Sequence, residues 1–388
     1  MLPPLRLVGA DILRGAEIRQ RSVAIEAGRI TKGPLPAADF SGHFVLPGIV
    51  DLHADYSAPP CAELGASIRA SAARAAAAGI TTQWLAHGWS WEGGSRSPAR
   101  AQAWLAAMAQ ARHLPIDLRP KLLADSHLID DDGALLAAVR KYRIGLVSFA
   151  NVAAGVIEMA RSQPEALSQR AKALGTTPAT LAAGAARALS RSRDVPRHLC
   201  KLADAFDPMG VVYASHGDPN AERREFHSML GARIAECPAC YGAASAARAM
   251  GNPVLVAAPG REPSLPGLPG AFDLAEAKLV DMLVSAAHPE NMAQSAFRLA
   301  DEALADLPLA WAMLSERPAE LMGLVDRGTL DYGRRADLVI ICQRTRRIEA
   351  TIAAGRLAFA TPEAKGRINA AFPRDMVTAP GFCGIAAQ

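Results

Sequence analysis

Residues 45–60, VLPGIVDLHADYSAPP, decide how the fold is read. A short apolar run leaves a Pro-Gly pair and ends on His53 and Asp55, two residues apart. Side chains alternate along a strand, so both groups project to the same side. A buried strand that delivers an imidazole and a carboxylate together suggests the rim of a chemical site.

Working outward, the same rhythm recurs. VLPGIVDLH, TTQWLAH, RPKLLADSHL, IGLVSFA, GVVYASHGD, ARIAECPA, PVLVAAPG and DMLVSAAH make eight strand candidates, mostly separated by stretches long enough for a helix. Strand–helix alternation argues for parallel pairing, and eight such units argue for a closed barrel. The expectation is an α/β protein with a (β/α)8 TIM-like barrel over residues 45–325. Residues 1–44 and 326–388 hold short alternating segments, such as SVAIEAGRI and ATIAAGRLAF, that read as one composite small β domain. The stretch of about 160–205 is helical and polar, with Thr177 before Pro178 as a cap, and reads as an insertion after the fourth strand.

Composition narrows the functional classes. A net charge of +4 over 388 residues, with no basic run interleaved with aromatics, argues against nucleic-acid binding. No apolar stretch reaches membrane-spanning length without charge, and the N-terminus MLPPLRLVGADIL lacks the pattern of a secretory signal. A soluble cytoplasmic protein with no membrane partner is the plain expectation, and a homo-oligomer is compatible with it. Six cysteines in such a chain do not make a disulfide scaffold. Cys237 and Cys240 have the spacing of a redox pair or half a zinc site, but no second pair completes a four-sulfur site, and ordinary thiols are the favoured reading.

In such barrels the active site lies at the C-terminal ends of the strands. His53 and Asp55 end the first run, His87 the second, His127 the third with Asp130 and Asp131 behind it. His216 ends the fifth, Asp218 follows it, and His288 follows the eighth. A single such histidine is more often structural; several converging on one rim suit a divalent metal such as zinc, as one or two ions.

VLPGIVDLHAD and the closing DRGTLDYGRRADLVII resemble the amidohydrolase superfamily. LHAD, with Asp where most of that superfamily has a second His, together with GITT, HLIDD, ASHGDP, LGARIAECP and FRLADEALADLPLAWA, resembles its phosphonate-pathway branch, PhnM. The resemblance implies hydrolysis of ribose 1-methylphosphonate 5-triphosphate with release of pyrophosphate. It implies metal contacts at His53, Asp55 and His216, with His127 and Asp131 matching a His and a Glu of the branch. It also implies substrate contacts at Asp218 and Glu236.

Several positions depart from that pattern. Phe149-Ala150-Asn151-Val152 replaces an Asp-His pair on the fourth strand. Val284-Ser285-Ala286 replaces Ser-Ser-Asp on the eighth, removing the carboxylate that takes the proton from the attacking water. The loops at Ser57-Ala58-Pro59-Pro60 and GREPSLPGLPGAF carry fewer phosphate-binding groups. His288, two residues past Ala286, is the candidate substitute base, although Pro289 makes a structural role at a helix start equally natural. Two functions follow: a metal-dependent hydrolase of a small, phosphorylated substrate, altered or weakened, or an impaired barrel that binds a ligand or partner protein.

Overall fold

The computed structural model describes residues 1–56, 63–259 and 269–372. The substituted loop at Ser57–Pro60, most of the loop after the seventh strand and the tail past 372 lie outside the described residues.

Eight parallel strands run in chain order around the barrel: Ile49–Asp55, Ile80–Trp89, Asp117–Asp125, Leu146–Ala150, Val212–His216, Ile234–Glu236, Val254–Ala257 and Met282–Val284. Their side chains are almost wholly buried because helices cover the outside and side chains fill the inside. The barrel closes between the eighth strand and the first. Asp55 N–H donates to the carbonyl of Ala286 and Ala286 N–H donates to that of His53, both at 2.8 Å. Behind this seam Asp51 accepts from Ser285 Oγ at 2.6 Å, Gln83 Nε2 at 2.9 Å and Ser285 N–H at 3.0 Å.

The opening Pro-Gly has a steric cause. Gly48 lies against Thr81, whose Oγ1 would sit 2.4 Å from any added Cβ. A glycine therefore lets the chain pass directly from a terminal sheet into the barrel. Pro47 ends a strand of that sheet, and its carbonyl accepts from Trp311 Nε1 at 2.9 Å.

Both ends of the chain share the six-stranded terminal sheet, ordered Arg356–Ala360, Ile348–Ala353, Leu338–Cys342, His43–Pro47, Asp11–Arg14 and Glu17–Gln20. A four-stranded sheet of residues Arg29–Thr31, Val23–Glu26, Leu5–Val8 and Ala37–Asp39 packs with it over a shared apolar core.

After the fourth strand come four helices, Ala153–Ser162, Pro164–Leu174, Pro178–Ser190 and Val195–Phe206. Thr177 caps the third, its side chain accepting from Thr180 N–H. The first three share a small core built on Leu167, Leu174, Leu181 and Ala185. The fourth buries Val195, Leu199, Leu202 and Phe206 against the barrel, anchoring the group. No helix among the described residues is long and apolar enough to cross a membrane.

Candidate active site

At the centre of the barrel mouth the first and fifth strands bring His53 and His216 together, their rings stacked with centroids 5.1 Å apart. Glu236, last residue of the sixth strand, lies beneath them, with Oε2 3.3 Å from His53 Nδ1 and 3.4 Å from His216 Nδ1. Ser148 Oγ donates to the same oxygen at 2.9 Å. Ligand atoms of His53, His216 and Glu236 lie within 4.8 Å of one another, a spacing that allows a metal site.

Lys121 reaches into the same group from the middle of the third strand. Its side chain is fully buried; Nζ donates to the Leu52 carbonyl at 3.2 Å, to His53 Nδ1 at 3.0 Å, and to Glu236 Oε1. An ammonium has three N–H donors and no lone pair, so these three acceptors satisfy it completely. In the Nε2–H tautomer, His53 Nδ1 accepts from Lys121 and Nε2–H donates to Asp55 Oδ1 at 3.2 Å. Against burial and the charge of Lys121, the carboxylates of Glu236 and Asp55 raise the pKa of the ring. Burial alone would favour neutral Glu236, but the positive charge of Lys121 and the His53 contact hold its carboxyl well below the usual range. With the ammonium bonded to two of the three candidate ligands, the arrangement as it stands does not fit a divalent ion beside it.

Next to this centre a cavity of about 320 Å³ opens between the first and second strands and the insertion. Asp55, His87, Arg96, Arg100 and Arg170 contribute to its lining. Arg96 lies in the short turn Gly94–Arg96, Arg100 in the helix Pro98–Gln110, and Arg170 in the insertion. Buried Glu92 accepts from Arg170 Nε at 2.8 Å and from Arg96 Nη1 at 3.5 Å. The Arg100 guanidinium makes no hydrogen bond or ion pair with any described residue. His87 packs against both Tyr56 and Trp104, with ring centroids 5.7 and 5.1 Å away, in a three-ring cluster, and donates from Nδ1 to the Gly88 carbonyl at 2.8 Å. Burial, helped by Arg96 and Arg100, lowers its pKa to about 4, so the ring is neutral at pH 7. Asp125 ends the third strand and accepts backbone N–H bonds from His127 and Val152 at 2.9 and 3.3 Å. Burial nonetheless raises its pKa to about 6.

The other sequence candidates are placed as follows. Asp55 is at the rim, touching His53. The third strand ends at Asp125, so His127 falls beyond it; its Nε2 meets Ser192 Oγ at 3.2 Å, in a cavity that it shares with His216. Asp131 accepts from Trp89 Nε1 at 2.7 Å. Neither joins the His53, His216 and Glu236 group among the described residues. Asp218 is held by His227 Nδ1 at 2.7 Å and by Ser215 and Arg224, so its carboxylate already has partners within the chain. Glu236, read from the resemblance as a substrate contact, lies in the histidine cluster. His288 is exposed, pairs with Glu290 at 3.3 Å and lines neither this cavity nor the adjoining one at His127 and Asp218. Cys237 and Cys240 are free thiols, and burial pushes Cys237 up to about 12, far from a reactive thiolate. Sequence reading passed over Lys121, Asp125 and the three arginines. Strand alternation was the available signal, since Lys121, Leu123 and Asp125 share a face.

Comparison with known proteins bears on this geometry. N-acetylglucosamine-6-phosphate deacetylase from Pasteurella multocida aligns with TM-score 0.64 and 10% identity, over 92% of this chain and 100% of that one. D-hydantoinase from a Bacillus species aligns with TM-score 0.62 and 13% identity, over 92% and 95%. The fold is therefore that of the amidohydrolase-type barrels. In sequence, the chain is 38% identical over 143 residues to the alpha-D-ribose 1-methylphosphonate 5-triphosphate diphosphatase of Escherichia coli strain K12. That match spans 36% of this chain and 38% of the relative's length, and supports the PhnM-like assignment within the amidohydrolases. No family model matches the sequence.

Proposed function

We propose that the protein is an amidohydrolase-type hydrolase of a small phosphorylated molecule, bound in the cavity beside Asp55. The carrying observation is the Arg100 guanidinium, without a partner among the described residues and close to Arg96 and Arg170. Arg96 and Arg170 share the buried Glu92, so with Asp55 the three guanidinium groups and two carboxylates leave one net positive charge at Arg100, which favours an anion, and planar guanidinium suits phosphate oxygens. The curated relative, named for a triphosphate substrate, supports the same class.

The chain's own groups have distinct parts in this reading. Arg96, Arg100 and Arg170 hold the phosphate oxygens and offset charge that builds on them during attack. Asp55 is held ionised by His53 against the effect of burial, and its carboxylate accepts the proton of the attacking water. Zinc, which the resemblance implies, would use His53, His216 and Glu236, and its chemistry would be to acidify that water. It enters no step here, because Lys121 already engages two of those ligands.

Ala286 and Lys121 favour a second reading, a barrel that binds the anion without turning it over. Pyrophosphate release from ribose 1-methylphosphonate 5-triphosphate and from nucleoside triphosphates separates the two. Measurable release that falls by about 10²–10⁴-fold in Asp55→Asn supports the hydrolase. Tight binding with no release supports the binding barrel, and loss of neither binding nor release in Arg100→Ala would refute the assigned site.

A further inference from the structure

We propose that the Lys121 ammonium replaces a divalent metal at the centre of this barrel, so that its resident cation is part of the chain. The observation is geometric. Nζ is fully buried and sits among the groups that would otherwise gather around an ion: it contacts His53 Nδ1 and Glu236 Oε1 directly, and His216 shares the other oxygen of Glu236. Every Nζ proton has an acceptor, so no further group is needed to balance it.

The charges support the substitution. Glu236 is buried with Lys121, His53, His216 and Ser148 around its carboxyl oxygens, and a buried carboxyl group demands a cation or strong donors. The ammonium supplies both at once. A divalent ion on the same ligands would lie a few ångströms from the fully buried Lys121 ammonium, where like charges repel strongly. It would also have to take the Nδ1 lone pair and the Oε1 oxygen that Lys121 now holds. A lysine in the middle of a barrel strand, pointing inward, is costly to bury unless its charge is used. Here it holds Glu236 and lies against His53, whose Nε2 is 3.2 Å from Asp55 Oδ1 at the cavity rim.

The test is metal content. Full-length wild type, purified after growth with added zinc and dialysed against micromolar zinc, is expected to hold well under one zinc per chain by elemental analysis. Its Tm is expected not to move with EDTA or zinc. Lys121→Ala frees the ligands and opens a space, so this variant is expected to take up one zinc per chain, with its Tm raised by at least about 3 °C on zinc addition. Stoichiometric zinc in wild type, lost together with stability on chelation, would overturn the proposal. So would a folded Lys121→Ala that takes up no zinc, because the lysine would then not occupy a metal's place. If Lys121→Ala does not fold, the wild-type measurement alone decides. Neither readout depends on turnover, so the outcome is separate from that of the phosphate-hydrolase reading.

Discussion

Asp55 and Ala286 are joined across the barrel seam: the Asp55 amide donates to the Ala286 carbonyl at 2.8 Å, while Ala286 holds a left-handed φ of 46°. The candidate carboxylate is thus tied to the position where the related branch carries its proton acceptor. Left-handed backbone is uncommon for alanine but several-fold enriched in Asp and Asn. Ala286→Asp should fold with a Tm close to that of wild type, whereas Ala286→Val should cost about 1–2 kcal/mol. Thermal denaturation of both decides it. If the missing base limits the reaction, Ala286→Asp should also raise pyrophosphate release; an unchanged rate places the limit elsewhere.

The Lys121–Glu236 pair sets a second expectation. Removing one partner leaves a buried charge alone, so Lys121→Met should destabilise by about 3–5 kcal/mol in EDTA. Lys121→Met with Glu236→Gln should recover part of this, because neither charge is then stranded. Equilibrium denaturation as a double-mutant cycle measures the coupling. Strictly additive losses would show that the two side chains do not depend on each other.

Asp125 and His87 should give opposite pH signatures. The folded pKa of Asp125, about 6, exceeds its ordinary value, so the folded state holds more protons between pH 4 and 6. Its contribution therefore falls as pH rises through that window, by about 3 kcal/mol at most. The folded pKa of His87, about 4, lies below its ordinary value, so the unfolded state holds more protons between about 4 and 6.5. Its contribution falls as pH drops. The two largely cancel in wild type. Asp125→Asn should make stability rise more steeply with pH from 4 to 6, and His87→Phe should make it fall with pH. Urea midpoints across that range show whether the slopes part in these directions.

Arg100 should matter for anion affinity more than for folding. Arg100→Ala is expected to weaken pyrophosphate binding about tenfold while changing stability by under about 0.5 kcal/mol. Binding by wild type should weaken with added salt. Calorimetric titration at two ionic strengths reads both effects. Unchanged affinity in Arg100→Ala would move the phosphate site away from this cavity.

Most of the fold could be read in the sequence because its causes are local. Apolar runs ending on polar residues mark the barrel strands, Pro47-Gly48 marks the passage between sheets, and Thr177-Pro178 marks a helix start. His53 and His216 were legible because each stands at or near a strand end. The Glu236–Lys121 contact was not, since it joins residues 115 apart through the stagger of the strands. His127 was misplaced by a small boundary error: the strand stops at Asp125, and two further residues turn the imidazole toward Ser192. Arg170 could not be assigned at all from sequence, because only the fold of the insertion carries it to the mouth.

The six-stranded terminal sheet imposes an order of events during synthesis. The strand His43–Pro47 emerges early, yet its antiparallel neighbour Leu338–Cys342 is made only after the whole barrel. At ~5–20 residues per second, the ribosome keeps that edge waiting on the order of 15–60 s. Throughout that interval Val45 and Leu46, destined for complete burial, have the earlier strand Asp11–Arg14 on one side and no neighbour on the other. A chaperone that shields strand edges should therefore engage this protein at its first fifty or so residues, before any barrel strand has a partner.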